Sequence, residues 1–262
     1  MQNVAKIVHS TVRVLVLLLL TAAAAQADEI KVMPSGAMSA ALRELTPAFE
    51  RASGSTLVIV SGGSVAGVAD SIPDRLAHGE RADVVIMAAN GIDELAKAGR
   101  LVAGSRADLA RSSIGIAVRS GAAKPDISTV DALTRALLAA QSVAYSSSVS
   151  GVYVSTELFQ RLGIATEMAK KSRRIESEPV GVAVARGDAE LGFQQISELR
   201  PVPGLEVVGP LPPAVQRVTI FSAAAGASGP NPSGGRAFIA FLASPAAAAA
   251  IARSGMDPVN RY

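Results

Sequence analysis

No cysteine occurs in the chain, there is no tryptophan, and only three Tyr and six Phe are spread over 262 residues. Without cysteine there are no disulfides, no iron–sulfur clusters, no thiolate zinc sites and no Cys nucleophile. Histidine is almost as scarce, with His9 and His78 alone. His9 lies in a segment read below as removed, and a single His78 cannot build a multi-His metal site, although it can act alone in acid–base chemistry. No Gly-x-x-x-x-Gly-Lys-Ser/Thr, no dinucleotide fingerprint and no Gly-x-Ser-x-Gly is present, so no cofactor and no metal are expected. His78 stands in Leu76-Ala77-His78-Gly79 at an expected helix end, where a cation at a helix C-terminus is its ordinary role.

What is present begins with an export signal. Lys6 and Arg13 supply a positive start, Val14 to Leu20 an unbroken apolar run, and Ala25-Gln26-Ala27 a small-x-small cleavage site. Residues 1–27 therefore read as a cleaved signal, which sends the mature chain, beginning at Asp28, to the periplasm. The apolar stretch to Ala25 is shorter than the ~20 residues a membrane span needs, and no later run is long enough. No stable membrane insertion is expected. Removal of the signal drops Lys+Arg from 25 to 23 against 22 Asp+Glu, a net charge of +1. That balance does not suit a nucleic-acid partner, which wants a concentrated basic face. The one basic cluster, Lys170-Lys171 with Arg173-Arg174, reads as a solvated helix end or loop.

Short β-rich runs alternate with helical stretches through the mature chain, the pattern of an α/β fold with parallel sheets. Strands are expected at Ile30–Met33, Leu57–Val60, Val84–Met87, Ile114–Val118, Ser142–Ala144, Leu191–Phe193, Leu205–Val208 and Val218–Phe221. Ala41, Leu42, Leu45, Ala48 and Phe49 follow helical three-and-four spacing, with Pro47 expected to kink that helix. The strand at 114–118 has polar flanks on both sides, and the Pro-rich stretch 201–213 leads into another strand. Two crossings between two lobes follow, with lobe one at 28–111 plus 219–262, lobe two at 112–218, and hinges near Ser112 and Arg217.

Three strands run into Ser/Gly loops followed by helices: Pro34-Ser35-Gly36-Ala37, Ser61-Gly62-Gly63-Ser64, and Tyr145-Ser146-Ser147-Ser148-Val149-Ser150-Gly151. A fourth helix starts at Pro179-Val180-Gly181. Each such loop offers N–H groups and hydroxyls at the carboxyl edge of a sheet, where open α/β folds bind ligands. Capping alone explains any one of them. Three in one chain, divided between two lobes, point to a shared cleft for a small anion.

These segments, with Arg81-Ala82-Asp83-Val84-Val85-Ile86, Ser150-Gly151-Val152-Tyr153 and Leu191-Gly192-Phe193-Gln194-Gln195-Ile196-Ser197, resemble the periplasmic solute-binding proteins of ABC importers, in the molybdate-binding branch, over essentially the whole mature chain. The resemblance implies a two-lobed α/β fold of the type II periplasmic binding proteins, with two crossing hinge strands. It also implies a monomer and, where the protein is a receptor, an ABC permease partner. Molybdate-binding members hold the oxyanion with a Ser in each of the first two loops, backbone amides of the second lobe and a Tyr hydroxyl. On this chain the second-loop Ser is Ser64 and the backbone donors lie near Ser150 and Val180. The first-loop position is Ala37, with Ser35 two residues earlier, and the Tyr position falls on or beside Gln195. Two hydroxyl donors are thus missing, each worth ~1.5 to 3 kcal/mol where it meets a charged ligand.

Gln194 and Gln195 offer planar amides, which suit carboxylates better than a spherical anion. The same branch includes isomerases of cis- and trans-aconitate, to which the chain is similar in length, export signal and family. That resemblance implies an allylic proton shift on a tricarboxylate, needing a base beside the ligand. Glu198 is the first candidate, with Tyr153, His78 and Tyr145 as the others. The loops carrying Ser35, Gly36, Ala37, Ser61, Gly63, Ser64, Ser148, Ser150 and Gly151, with Val180, Gln194 and Gln195, would hold the carboxylates. The alternative is a non-catalytic receptor delivering molybdate, another small anion or an organic acid to an importer.

Overall fold

Alternation of apolar side chains builds two sheets in the computed structural model, which describes residues 28–68, 70–176 and 178–259. The expected signal, residues 1–27, lies outside the described residues. Along β1 (Glu29–Pro34), Ile30 and Val32 enter one core cluster while Met33 enters another; along β3 (Val84–Ala88), Val84 and Ile86 face the first, Val85 and Met87 the second. Period-two alternation with both faces apolar is what a sheet covered by helices on both sides requires.

Eleven strands form among the described residues. Those expected from the sequence appear as β1, β2 (Thr56–Ile59), β3, β5 (Ile114–Arg119), β6 (Val143–Ser146), β8 (Leu191–Gln195), β9 (Leu205–Pro210) and β10 (Thr219–Ala225). Three were not expected: β4 (Ala107–Ser112), β7 (Ser172–Ile175) and β11 (Asp257–Pro258). The first sheet runs β11-β4-β10-β3-β1-β2 and the second β7-β6-β8-β5-β9. Each lobe is a sheet with its helices.

Neither sheet is purely parallel, contrary to the sequence reading. β1 pairs parallel with β2 and β3, but β10 is antiparallel to β3 and β4; β6 pairs parallel with β7 and β8, but β5 is antiparallel to β8 and β9. β5 and β10 each enter their sheet from the other lobe and so run against the strands built locally, whereas the short β11, also antiparallel to β4, arrives from its own lobe's last helix. The chain crosses through Ser113, between β4 and β5, and returns through 211–218, between β9 and β10. Gln216 ties the two passages together, its Oε1 accepting the Ile114 N–H at 3.0 Å and its Nε2 donating to the Ile114 carbonyl at 2.9 Å.

The helix Ser39–Ser53 continues through Pro47 and buries Ala41, Leu42, Leu45 and Phe49, stopping at Gly54 with φ of 74°. The basic cluster divides: Lys170 and Lys171 close the helix Ala165–Lys171, whereas Arg173 and Arg174 lie on β7, an edge strand that keeps them exposed. Asp83, 1% exposed, fastens the first lobe. Its Oδ2 accepts the Lys31 backbone N–H at 2.7 Å and its Oδ1 the Asn231 backbone N–H at 2.5 Å. Among the described residues no single helix is long and apolar enough to cross a membrane.

Candidate functional site

The carboxyl ends of β1, β2, β6 and β8 converge on a cleft of about 320 Å³ between the two sheets. The first lobe contributes Ser35, Gly36 and Ala37 after β1, and Ser61 to Ser64 after β2. The Gly62 N–H donates to the Pro34 carbonyl at 3.1 Å and Arg75 Nη1 to the Ser61 carbonyl at 3.2 Å, which fixes the second loop against the first. Ala37, at the position where an oxyanion binder would carry Ser, is buried with the core. Ser35 Oγ is buried and has no partner in the protein. A buried hydroxyl without a partner is costly, and a ligand acceptor in the cleft would satisfy it.

From the second lobe, Ser146, Ser148 and Ser150 bring their hydroxyls into one ring, with oxygens 2.7, 3.2 and 3.2 Å apart. Gly151 makes the ring possible. A Cβ there would stand 1.6 Å from the Ser146 carbonyl oxygen, so the helix Val149–Tyr153 can press on β6 only where no side chain intervenes. Gly151 therefore supports the loop from behind and is not itself in the cleft lining.

β8 runs straight into the short helix Ile196–Leu199, which delivers Gln194, Gln195 and Glu198 to the cleft. Gln194 is committed at both ends of its amide. Its Oε1 accepts the Val180 N–H at 3.0 Å and its Nε2 donates to Glu198 Oε1 at 3.0 Å. The expected backbone donor at Val180 is thus spent inside the protein, and Gln194 orients Glu198. Gln195 Nε2 donates to Thr219 Oγ1 at 3.2 Å, while its buried Oε1 has no partner. Turned end for end, this amide would accept from the Thr219 hydroxyl and aim its NH2 at the open position, the orientation an anion selects.

Glu198 is half-buried, opening onto the cleft and onto a second cavity, and loss of water around it pushes its carboxyl from the ordinary 4.5 up to about 7. Hydrogen bonds from the Gln194 side chain and the Gln195 backbone oppose the shift without cancelling it. Two other carboxylates reach the lining and both are paired, Glu176 with Arg174 and Glu178 with Arg186. The Arg186 guanidinium holds Glu178 below the usual carboxylate range. No Lys, Arg or His is found among the described residues lining the cleft. Among the described residues, no three His, Cys, Asp or Glu gather as metal ligands.

Three catalytic candidates lie elsewhere. Tyr153 faces the core, where its hydroxyl donates to the Val215 carbonyl at 2.6 Å and its ring carries the Arg217 guanidinium 4.7 Å above its centre. Tyr153 ends the helix Val149–Tyr153 instead of starting it, and its amphipathic ring has found an internal acceptor instead of the ligand. His78 caps the helix Ile72–Ala77, exposed, with Nδ1 2.7 Å from the Asp74 carbonyl, and lines a different surface pocket. Tyr145 packs edge-on against Phe159 and is absent from the lining. Phe221 supplies an apolar wall that the sequence reading missed, because β10 read only as a crossing strand.

The model of the family described as bacterial extracellular solute-binding protein matches residues 30–257. A curated relative from a Pseudomonas species, named aconitate isomerase, is 46% identical over 237 residues, 90% of each chain. Among solved structures, the periplasmic molybdate-binding protein of Azotobacter vinelandii superposes with a TM-score of 0.69 at 20% identity, covering 87% of this chain and 98% of its own. A sulfate-binding protein of Mycobacterium tuberculosis gives 0.70 at 17% identity, covering 89% and 88%. At these identities the solved structures establish the fold alone.

Proposed function

The chain belongs to the bacterial extracellular solute-binding protein family, and from that premise we propose that it is an isomerase interconverting cis- and trans-aconitate in the cleft between its lobes, exported to the periplasm and acting as a monomer. The observation that carries the reading is the 46% identity, over 90% of both chains, to a protein named aconitate isomerase. The site supports it in chemical terms. The cleft sets hydroxyl and amide donors around one carboxyl, Glu198, held at about 7. A general base is most effective when it titrates near the working pH.

In this reading Glu198, as carboxylate, removes a proton from the methylene carbon beside a substrate carboxylate. The C–H electron pair moves into a new C=C bond, and the π electrons of the old double bond pass to its far carbon. Glu198, now the acid, returns the proton there, so one residue serves both ends of the allylic system and no atom is lost. Charge on the intermediate spreads onto the adjacent carboxylate, where Ser35, Ser64, the hydroxyl ring of Ser146, Ser148 and Ser150, and the Gln195 amide act as donors. Gln194 holds Glu198 in place, and Phe221 lies along the apolar carbon frame.

A second reading is favoured by the hydroxyl-rich lining: a receptor for a small anion, delivering it to an ABC permease. Proton NMR of the mature protein with cis-aconitate in deuterated buffer separates the two. The trans isomer, its formation lost in Glu198→Gln, is the expected result. An unchanged spectrum, with a thermal shift on adding molybdate or sulfate, would replace the isomerase by the receptor.

A further inference from the structure

Glu198 stands on the second lobe, and the surface it leans on belongs to the first. Gly36 follows β1, and an ideal Cβ built on it would lie 2.3 Å from Glu198 Oε1, 3.3 Å from Cδ and 3.8 Å from Cγ. The backbone of Gly36 does not demand glycine. It sits in the 3-10 turn Gly36–Met38, outside the left-handed region, where alanine fits without strain. The missing side chain is required only by the carboxyl opposite. Glu198 is also the partition between the cleft and a second cavity of about 460 Å³, lined by Ser39, Arg43, Val182, Ser197 and Val202 among others. We infer that Gly36 is a positioning residue for the reaction: its bare Cα makes the slot in which the Glu198 carboxyl stands, across the lobe boundary, facing the substrate.

The inference rests on Glu198 being the base, and it adds how the two lobes build that base together. The charged groups that face it are few: Glu176 and Glu178 across the cleft, each paired with an arginine, and the exposed Arg43 across the second cavity. Gly36, Ala37 and Met38, the turn packed against it, carry no charge.

Gly36→Ala tests this directly, and because the clash is with the end of a flexible side chain, the variant is expected to fold. Its methyl moves the carboxyl aside, and a displacement of that order costs about 100-fold in kcat with little change in KM. In the Glu198→Asp background, where the shorter side chain vacates the slot, the same Gly36→Ala substitution is expected to cost less than about threefold, the coupling that a double-mutant cycle isolates. Equal losses in both backgrounds would mean that the added methyl harms the loop in general and would overturn the inference. Glu198→Gln run alongside separates the levels. Wild-type turnover in Glu198→Gln refutes the base and the inference with it, whereas an inactive Glu198→Gln beside a fully active Gly36→Ala refutes the inference alone. Carbon-13 NMR of glutamate-labelled protein reads the slot without any turnover. The Glu198 carboxyl is expected to titrate near 7 in the wild type and lower in Gly36→Ala, and an unmoved midpoint overturns the positioning role even if no aconitate is isomerised.

Discussion

Replacing Glu198 by Gln removes the half-buried carboxyl of the cleft that has no cationic partner, while keeping an oxygen to accept from Gln194, and the consequence for stability has a definite sign. The folded protein holds the Glu198 proton up to about 7, whereas the unfolded chain releases it near 4.5. Between those values the folded state binds more protons, so the contribution of this group is fully present below about 4.5 and is lost as pH rises through about 7. At about 1.4 kcal/mol per pH unit, the loss reaches about 3 kcal/mol by pH 8, an upper bound because the carboxyl still opens onto the cleft. Glu198→Gln stays neutral throughout. Relative to wild type it is expected to gain stability between pH 4.5 and 8, by about 2 to 3 kcal/mol, or ~5 to 10 °C in melting temperature for a protein of this size. Urea titrations of both proteins at pH 4.5, 6, 7 and 8 measure the difference directly, since every other titrating group is common to the two. A difference that stays constant with pH would refute the desolvation of the Glu198 carboxyl, whatever the variant does to activity.

Tyr153→Phe deletes a hydroxyl bonded to the Val215 carbonyl and reached by Arg161 Nη1 at 3.2 Å; it is expected to cost about 1 to 3 kcal/mol in chemical denaturation and to leave kcat unchanged. A large kcat loss with intact stability would return Tyr153 to the reaction. Gly151→Ala forces a methyl to within 1.6 Å of the Ser146 carbonyl oxygen, which must break up the hydroxyl ring, so ligand-induced thermal stabilisation should disappear; retention of the wild-type shift would show that the ring does not hold the ligand. Asp83→Ala strands the N–H groups of Lys31 and Asn231, and calorimetry should find a loss of about 3 kcal/mol or more without a change in KM.

The strands and the three Ser/Gly loops were legible because each is a local pattern: an apolar run of four to six residues, then small polar residues, then a helical stripe. β4 and β7 were not, since Asp108, Arg111, Arg173 and Arg174 break their apolar runs, and both are held as strands by neighbours far away in sequence. The sense of β5 and β10 was hidden for a related reason, because it depends on which lobe a strand enters from and not on its own composition. In the site, Glu198 could be named from its place after β8. Its partner Gly36 could be named only as a loop glycine, since the contact spans 162 positions of the chain. Tyr153 and His78 were drawn in by residue type, and an internal carbonyl acceptor had already claimed each of them.

Under the proposed reaction, the make-up of the cleft follows from what it would ask of Glu198 as the base. A cation beside a substrate carboxylate that takes no share of the developing charge would bind it equally before and during the reaction, which tightens binding without accelerating the chemical step. It would also pull the Glu198 proton affinity back toward an ordinary carboxylate, because an opposite charge within a few ångströms favours the ionised form. With Arg174 and Arg186 turned to Glu176 and Glu178, and with hydroxyls and an amide as the donors, no charge interaction figures in the shift of Glu198, which burial alone drives upward. Bringing a lysine to the rim, as Ser64→Lys would, should therefore tighten a polyanion while lowering the pH at which Glu198 titrates. On the alkaline plateau of the profile, where Glu198 is ionised in both proteins, such a protein would hold its substrate better and turn it over more slowly, because a weaker base faces the same carbon acid.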